Sequence, residues 1–261
     1  MSRLDDLTRI RDALLAAAAA ISPFTPGAVA YDEKSKRGDP VTAADLAANK
    51  VLHDLLPSPG EGWLSEETAD SPERLKSRRV WVVDPLDGTR EFVDGIPEWC
   101  ISVGLVEDGV PVAGGILSPP NDQLILGSLE SGVTLNGKPI RASGRETLEG
   151  AVILASRSEW KRGEWDRFKD APFTVKPCGS VAFKLGQVAS GSADGTWTLV
   201  PKHEWDVAGG AALILASGGR LLHADGTRPA FNQPRPKLPN FLAASGGLLR
   251  EFRENWMDRS S

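Results

Sequence analysis

Arg79-Val80-Trp81-Val82-Val83-Asp84-Pro85-Leu86-Asp87-Gly88-Thr89 is the stretch on which the reading of this chain turns. Its first half is β-branched and aromatic, the pattern of a buried strand. Its second half sets two carboxylates three residues apart at the end of that strand. Pro85 fixes the backbone between them, and Gly88 allows a tight turn. Oxygen ligands packed this closely suit a hard cation such as Mg2+, and the Leu86 carbonyl is placed to add a third oxygen. Taken alone, Asp-x-x-Asp is more often a turn whose aspartates cap backbone donors. The whole hexapeptide Asp84–Thr89 after an apolar strand is far more specific. A helix starting near Gly88 would aim its free N–H groups at the space between the aspartates, where a phosphate can bind.

Two other acidic sites are available to complete a cluster, and a third acidic motif opens an earlier helix. Leu64-Ser65-Glu66-Glu67-Thr68 follows the Pro57-Ser58-Pro59-Gly60 break and by itself reads as a solvated turn. His203-Glu204-Trp205-Asp206 opens an Ala/Gly-rich helix, where Asp206 alone reads as an N-cap. Asp39-Pro40-Val41-Thr42-Ala43-Ala44-Asp45 opens an earlier helix, and Thr42 with Asp45 reads as a capping box.

Around these motifs the chain is an ordinary globular sequence. Its 261 residues are 41% hydrophobic and 25% charged, enough for one large domain or two joined halves. A net charge of -5 argues against a nucleic acid polymer as partner, though bound cations leave a phosphorylated metabolite open. Cys100 and Cys178 make no disulfide framework and read as core residues, which points to a reducing cytoplasm. The apolar run Ala13–Ala20 is too short to span a bilayer and reads as the buried end of a first helix, so no membrane association is expected. His53, His203 and His223 fall outside the motifs and read as packing or surface residues.

The coarse order of elements is mixed. Helices are expected over Leu4–Ile21 and Thr42–Leu56, the second presenting Leu46, Val51, Leu52 and Leu55 as its apolar face. Trp99–Glu107 and Val110–Leu117 read as a hairpin closed at Asp108-Gly109. A polar seam over Gly137–Leu148 separates a half at 1–140, with most of the acidic motifs, from a half at 141–261, with Asp206. In the second half, strands over Ala151–Ala155, Ala193–Leu199 and Arg220–His223 alternate with helices over Trp160–Phe168, Ser180–Ser190 and Trp205–Ser217. Such alternation implies sheets layered with helices, an α+β or α/β architecture.

The four motifs in this order, Asp-Pro-Val-Thr-x-x-Asp, Ser-Glu-Glu, Asp-Pro-Leu-Asp-Gly-Thr and Trp-Asp-x-Ala-Gly, resemble the inositol monophosphatase superfamily from about Thr42 to the last strand. The resemblance implies an αβαβα sandwich of the inositol monophosphatase and fructose-1,6-bisphosphatase type. It implies a lithium-sensitive, Mg2+-dependent phosphatase that uses two to three ions and often forms homodimers. Glu66, Asp84 and the Leu86 carbonyl would hold one ion, and Asp84, Asp87 and Asp206 a second, with Glu66 reaching a third. Asp45 and Thr89 would position and deprotonate the attacking water, and Gly88 and Thr89 would offer donors to the phosphate. Within the superfamily, Arg90-Glu91-Phe92, the segment Arg74–Trp81 and the Ser180…Lys184 pair resemble the CysQ-type phosphatases of sulfur metabolism, which cleave 3'-phosphoadenosine 5'-phosphate. A sugar-gripping glutamate of the inositol enzymes is absent near Thr198 and Leu199, which points the same way. An arginine that some nucleotide phosphatases place there is absent too, with Lys202 as a substitute. The expected substrate is therefore the bisphosphate nucleotide, held through Ser180 and Lys184, with inositol-1-phosphate as the alternative.

Overall fold

The computed structural model describes residues 2–33, 40–198 and 200–256. Asp39 of the Asp-Pro-Val-Thr motif and Leu199 lie outside the described residues. The chain opens with helix α1 (Arg3–Ile21), whose N-terminus is closed by a capping box between Ser2 and Asp5. A short ribbon of β1 (Tyr31–Glu33) and β2 (Pro40–Thr42) leads into α2 (Ala43–Leu55).

The first sheet has seven strands in sequence order: β3 (Gly62–Ser65), β4 (Arg79–Asp87), β5 (Cys100–Glu107), β6 (Val110–Ser118), β7 (Gln123–Ser128), β8 (Gly132–Leu135) and β9 (Lys138–Ile140). Only the β3–β4 pair is parallel. A short helix, α3 (Thr89–Val93), follows β4 directly. The β5–β6 hairpin turns through Asp108 and Gly109, at φ 49° and 79°, the left-handed pair that a two-residue hairpin loop needs.

The second half adds β10 (Val152–Ser156), α4 (Arg157–Lys161), β11 (Thr174–Cys178), α5 (Val181–Ala189), β12 (Gly195–Thr198), β13 (Lys202–His203) and α6 (Glu204–Ala216). It ends with β14 (Arg220–Leu222), β15 (Lys237–Leu238), β16 (Phe241–Ala244) and α7 (Gly246–Asn255). Five of these strands form a mixed sheet in the order β11-β10-β12-β16-β14, and β13 pairs with β15 apart from it.

The layers follow from which faces are apolar. In β4, Trp81 and Val83 point into a core with Ile10 and Leu14 of α1 and Leu52 of α2. Val80 and Val82 point the other way, into a core shared with Leu185 and Val188 of α5 and Leu213 and Ile214 of α6. Burial on both faces is why β4 reads as a continuous apolar run. The same inner core reaches Phe241 and Ala243 of the second sheet. The outer face of that sheet is sealed by Trp165, Phe168, Phe173, Trp197 and, on α7, Phe252. The order is therefore helices, sheet, helices, sheet, helix: an αβαβα sandwich. Among the described residues no helix is long and apolar enough to cross a membrane.

Helix α6 lies against the first sheet almost backbone to backbone. A Cβ at Gly104 would stand 2.7 Å from the Gly209 nitrogen, and one at Gly209 would stand 2.8 Å from the Val103 carbonyl. Only glycine at both positions permits this approach, which brings the first turn of α6 to the end of β4.

Two expectations are corrected. The buried face of α2 is Ala44, Asp45, Ala48 and Leu52, while Leu46 and Leu55 are about half exposed, at 55% and 49%. Small residues four apart let α1 pack closely, so the larger leucines fall outside the contact. The helix expected over Trp160–Phe168 is only α4 and a 3-10 turn at Asp166–Phe168, because Gly163 turns left-handed at φ 76° between them.

At the start of β4, Arg79 bonds Asp6 at 2.5 Å, Glu107 at 2.5 Å and Glu61 at 2.9 Å. Arg3 and Arg9 complete the network, on Glu107 and Glu61. Its hydrogen bond from Arg3 holds Glu107 below the usual carboxylate range despite desolvation. A depressed carboxyl stabilises the fold above its unfolded pKa and loses that contribution as pH falls. Arg79→Met strands Asp6 and Glu61 with only Arg3 and Arg9 for compensation. Unfolding in urea should reveal a loss of about 3 kcal/mol; a loss under about 1 kcal/mol would mean the other two arginines suffice.

Candidate active site

The parallel pairing of β3 with β4 sets Ser65 against Val83, so Glu66 emerges beside Asp84. Asp206 arrives from the first turn of α6. Carboxylate oxygens of Glu66, Asp84 and Asp206 lie within 4.8 Å of one another. Two of them are aimed by the backbone: Asp84 Oδ1 accepts from Leu86 N at 3.1 Å, and Asp206 Oδ2 accepts from His203 N at 3.1 Å. The register of β4 on β5 shifts between Asp84 and Asp87, a bulge that turns Asp87 toward α5. There its Oδ2 accepts from Ser180 Oγ at 2.7 Å and from Ala182 N.

Gly88 forms the turn into α3 at φ 96°, which other residues rarely adopt. A Cβ there would also press on the Glu98 carbonyl at 3.0 Å. The turn brings Thr89 back over Leu86. Thr89 Oγ1 lies 3.0 Å from both Asp45 Oδ1 and the Leu86 carbonyl. Asp45 Oδ2 meanwhile accepts from Thr42 N at 2.8 Å and Thr42 Oγ1 at 2.6 Å. The capping box and the contact with Thr89 therefore coexist, one on each carboxylate oxygen.

Glu66, Asp84, Leu86, Asp87, Gly88, Thr89, Ser180, Lys184 and Asp206 all line one open cleft of about 290 Å³, with Asp45 buried behind Thr89. Lys184 is no surface lysine. It is 3% exposed, and its Nζ donates to the Ser180 carbonyl at 2.5 Å and more weakly to those of Gly179 and Cys178. The cleft also contains Arg157 and Lys161, which follow β10 and which the sequence reading passed over, and Lys202, which precedes α6. Lys202 is held by buried Glu159 at 3.5 Å, which also accepts from Thr198 Oγ1 at 2.5 Å and Trp165 Nε1 at 3.1 Å. The segment Ser156-Arg157-Ser158 after an apolar strand was the available signal, because sites in layered sheets gather at strand ends. His53 packs edge-on against Trp63, and His203 stacks on Trp205.

Burial dominates the electrostatics. Desolvation, then the charges of Asp87 and Glu66, pushes Asp206 well above the carboxylate range. Desolvation also raises Asp87 and Glu91. The same cause pushes Cys178 up to about 12 and Cys100 well above its ordinary value, so neither thiol is a nucleophile. A buried cluster of oxygen donors in which Asp87 and Glu66 raise Asp206 is a cluster that a hard divalent cation fits.

An acid raised in the folded state binds its proton more tightly there than in the unfolded chain. Folded stability is then full below the unfolded pKa and drains away as pH climbs toward the raised value. In chelator, the melting temperature should fall as pH rises above the ordinary carboxylate range. Added Mg2+ should restore it, and by more at higher pH. Melting curves that are flat with pH in chelator would mean that Asp87 and Asp206 do not repel as placed.

Comparison with known proteins identifies the family. The sequence model of the inositol monophosphatase family matches residues 6–257. The inositol-1-monophosphatase of Mesorhizobium japonicum is 35% identical over 198 residues, which cover 72% of this chain and 74% of that protein. The Nus factor SuhB of Xylella fastidiosa is 30% identical over 81% of this chain and 79% of its own length. Among solved structures, the inositol monophosphatase of Anabaena superposes with a TM-score of 0.81 at 27% identity, covering 97% of this chain and 96% of that one. With a match that spans nearly its whole length and relatives of this likeness, the chain belongs to the inositol monophosphatase family, and is a phosphoric monoester hydrolase.

Proposed function

We propose that this chain is a Mg2+-dependent phosphatase that hydrolyses inositol-1-phosphate or a closely similar small monoester. The observation that carries the reading is the convergence of Glu66, Asp84 and Asp206 beside the Thr89–Asp45 hydrogen bond. Glu66, Asp84, the Leu86 carbonyl, Asp87 and Asp206 are the residues that would hold two to three ions. Mg2+ held there supplies charge to offset the phosphate dianion and lowers the pKa of bound water.

The chain's own residues do the rest. A threonine hydroxyl has one proton and cannot donate fully to both Asp45 and Leu86. Donated to Asp45, that proton leaves the Leu86 carbonyl open as one of the oxygens that would hold an ion. Lone pairs of Thr89 Oγ1 are left to accept the proton of the attacking water, and Asp45 receives the displaced proton. Thr42, through two hydrogen bonds to the other Asp45 oxygen, keeps the acceptor pointing at Thr89. The backbone turn at Gly88 and Thr89 offers donors to the phosphate. This reading divides the work near residue 140, with most of the chemistry before it and Asp206 and the substrate wall after it.

The likeness to the inositol-1-monophosphatase of Mesorhizobium japonicum supports inositol-1-phosphate as the substrate. A second reading, removal of the 3'-phosphate from 3'-phosphoadenosine 5'-phosphate, has its own support in Arg157, Lys161 and Lys202, three cations on the same cleft. With Mg2+ present, kcat/KM for inositol-1-phosphate should exceed that for the bisphosphate nucleotide by about tenfold or more, a barrier difference of about 1.4 kcal/mol. The opposite order would put the second reading first, and no hydrolysis of either would reject both. Asp45→Asn keeps an acceptor for Thr42 but cannot take the proton. It should lower kcat by roughly a hundredfold or more with Mg2+ dependence unchanged. A loss smaller than about threefold would leave Asp45 a helix cap only.

A further inference from the structure

Ser180 adopts φ 50° and ψ 133°, a conformation that residues with a side chain rarely hold. Something must enforce it, and the contacts around it identify what. The turn Cys178-Gly179-Ser180 is gripped from inside by Lys184, whose ammonium takes all three carbonyls, Ser180's at 2.5 Å. It is gripped from outside by Glu98, which accepts from Gly179 N at 2.7 Å. With its carbonyls drawn inward, the turn presents its hydroxyl and the first amides of α5 outward. Ser180 Oγ donates to Asp87 Oδ2 at 2.7 Å while accepting from Phe183 N at 2.9 Å, and Ala182 N donates to the same Asp87 oxygen. One oxygen of Asp87 is thus fully occupied by this turn, and the other is left for the cleft.

We infer that Ser180 and Lys184 are positioning residues for Asp87, acting on its orientation toward a bound cation rather than on the substrate. Lys184 holds the carbonyls, the held turn keeps Ser180 in its unusual conformation, and Ser180 with the start of α5 fixes the carboxylate. Resemblance alone placed both residues on the substrate. Their hydrogen bonds face the protein, and the Lys184 ammonium is spent on three carbonyls. The inference rests on the proposed metal-dependent reading, because it treats Asp87 as a ligand.

The test reads metal binding directly. Mn2+ is titrated into wild type, Ser180→Ala and Lys184→Met without substrate, and free Mn2+ is followed by electron paramagnetic resonance. Both variants should bind Mn2+ about tenfold more weakly or worse, the usual cost of removing a partner that orients a metal ligand. Steady-state kinetics should show a raised Mg2+ requirement. The ratio of kcat/KM between inositol-1-phosphate and 3'-phosphoadenosine 5'-phosphate should stay at the wild-type value. A residue that touches substrate would give the reverse, with Mn2+ affinity intact and the ratio changed, and would overturn the inference. A lower melting temperature with unchanged Mn2+ affinity would also overturn it, leaving a structural turn. Should Lys184→Met fail to fold, Ser180→Ala decides alone, since it removes one hydroxyl and leaves the lysine grip in place. Wild-type protein that binds no Mn2+ would sink the metal reading and this inference with it. Wild-type binding with unaffected variants would sink only the inference.

Discussion

Carboxylates crowded at one end of a sheet repel one another, and desolvation makes the repulsion worse. Glu66, Asp84 and Asp206 share a space under 5 Å across, with Asp87 close enough to raise Asp206 further. No single element could hold such a set, since adjacent residues on one strand point to opposite faces. The fold solves this by bringing separate elements to one corner. A parallel strand pair sets Glu66 beside Asp84, a bulge turns Asp87, and a helix laid on paired glycines delivers Asp206. Each device is found where a carboxylate has to be aimed.

Like charges held this close need a firm frame around them. The opposite end of β4 shows how. Arg79 gathers Asp6, Glu61 and Glu107 into an ion network that ties α1 to the sheet, with charges of both signs in contact. Between the two ends, Trp81, Val82 and Val83 are fully buried on alternating faces. One strand therefore carries paired charge at its start, apolar packing in its middle and like charge at its end. The first two make the third tolerable, in keeping with the general rule that strain is concentrated where function needs it.

What the sequence disclosed divides along the same physical line. Backbone-dictated features were legible. The Asp84–Thr89 hexapeptide encodes its own turn through Pro85 and Gly88, and Thr42 with Asp45 encodes a helix start. The layered architecture followed from patterning, and the hairpin at Asp108-Gly109 from two residues suited to positive φ. Features set by tertiary contact were not legible. Nothing local says that Leu46 and Leu55 of α2 stay outside while alanines face inward, because α1 decides that. Nothing local says that the Lys184 ammonium turns back onto its own loop, since a lysine four residues after a serine looks equally like a phosphate ligand. Arg157 and Lys161 went unremarked for the same reason: single cations carry no spacing rule, and only the fold collects them beside Lys202.

That asymmetry explains why reaction class is easier to read than substrate in this chain. Residues proposed for the chemistry fall mostly within 45–89, where short-range backbone geometry fixes their relations, and short-range geometry leaves a motif. Residues on the rest of the cleft come from the ends of β10 and β11, aligned by the second sheet, and from β13, which pairs with β15 apart from it, all far apart in the chain. A wall assembled this way can exchange one side chain for another without disturbing the turn at Gly88 or the Thr89–Asp45 contact. Ser180 and Lys184 lie at the junction. They belong to the second half in sequence, yet Ser180 Oγ bonds Asp87 of the first, and Lys184 holds the Ser180 carbonyl. A residue at such a junction answers to the metal side as well as to the substrate side, so its identity is a poor guide to substrate even where its spacing matches a nucleotide pattern.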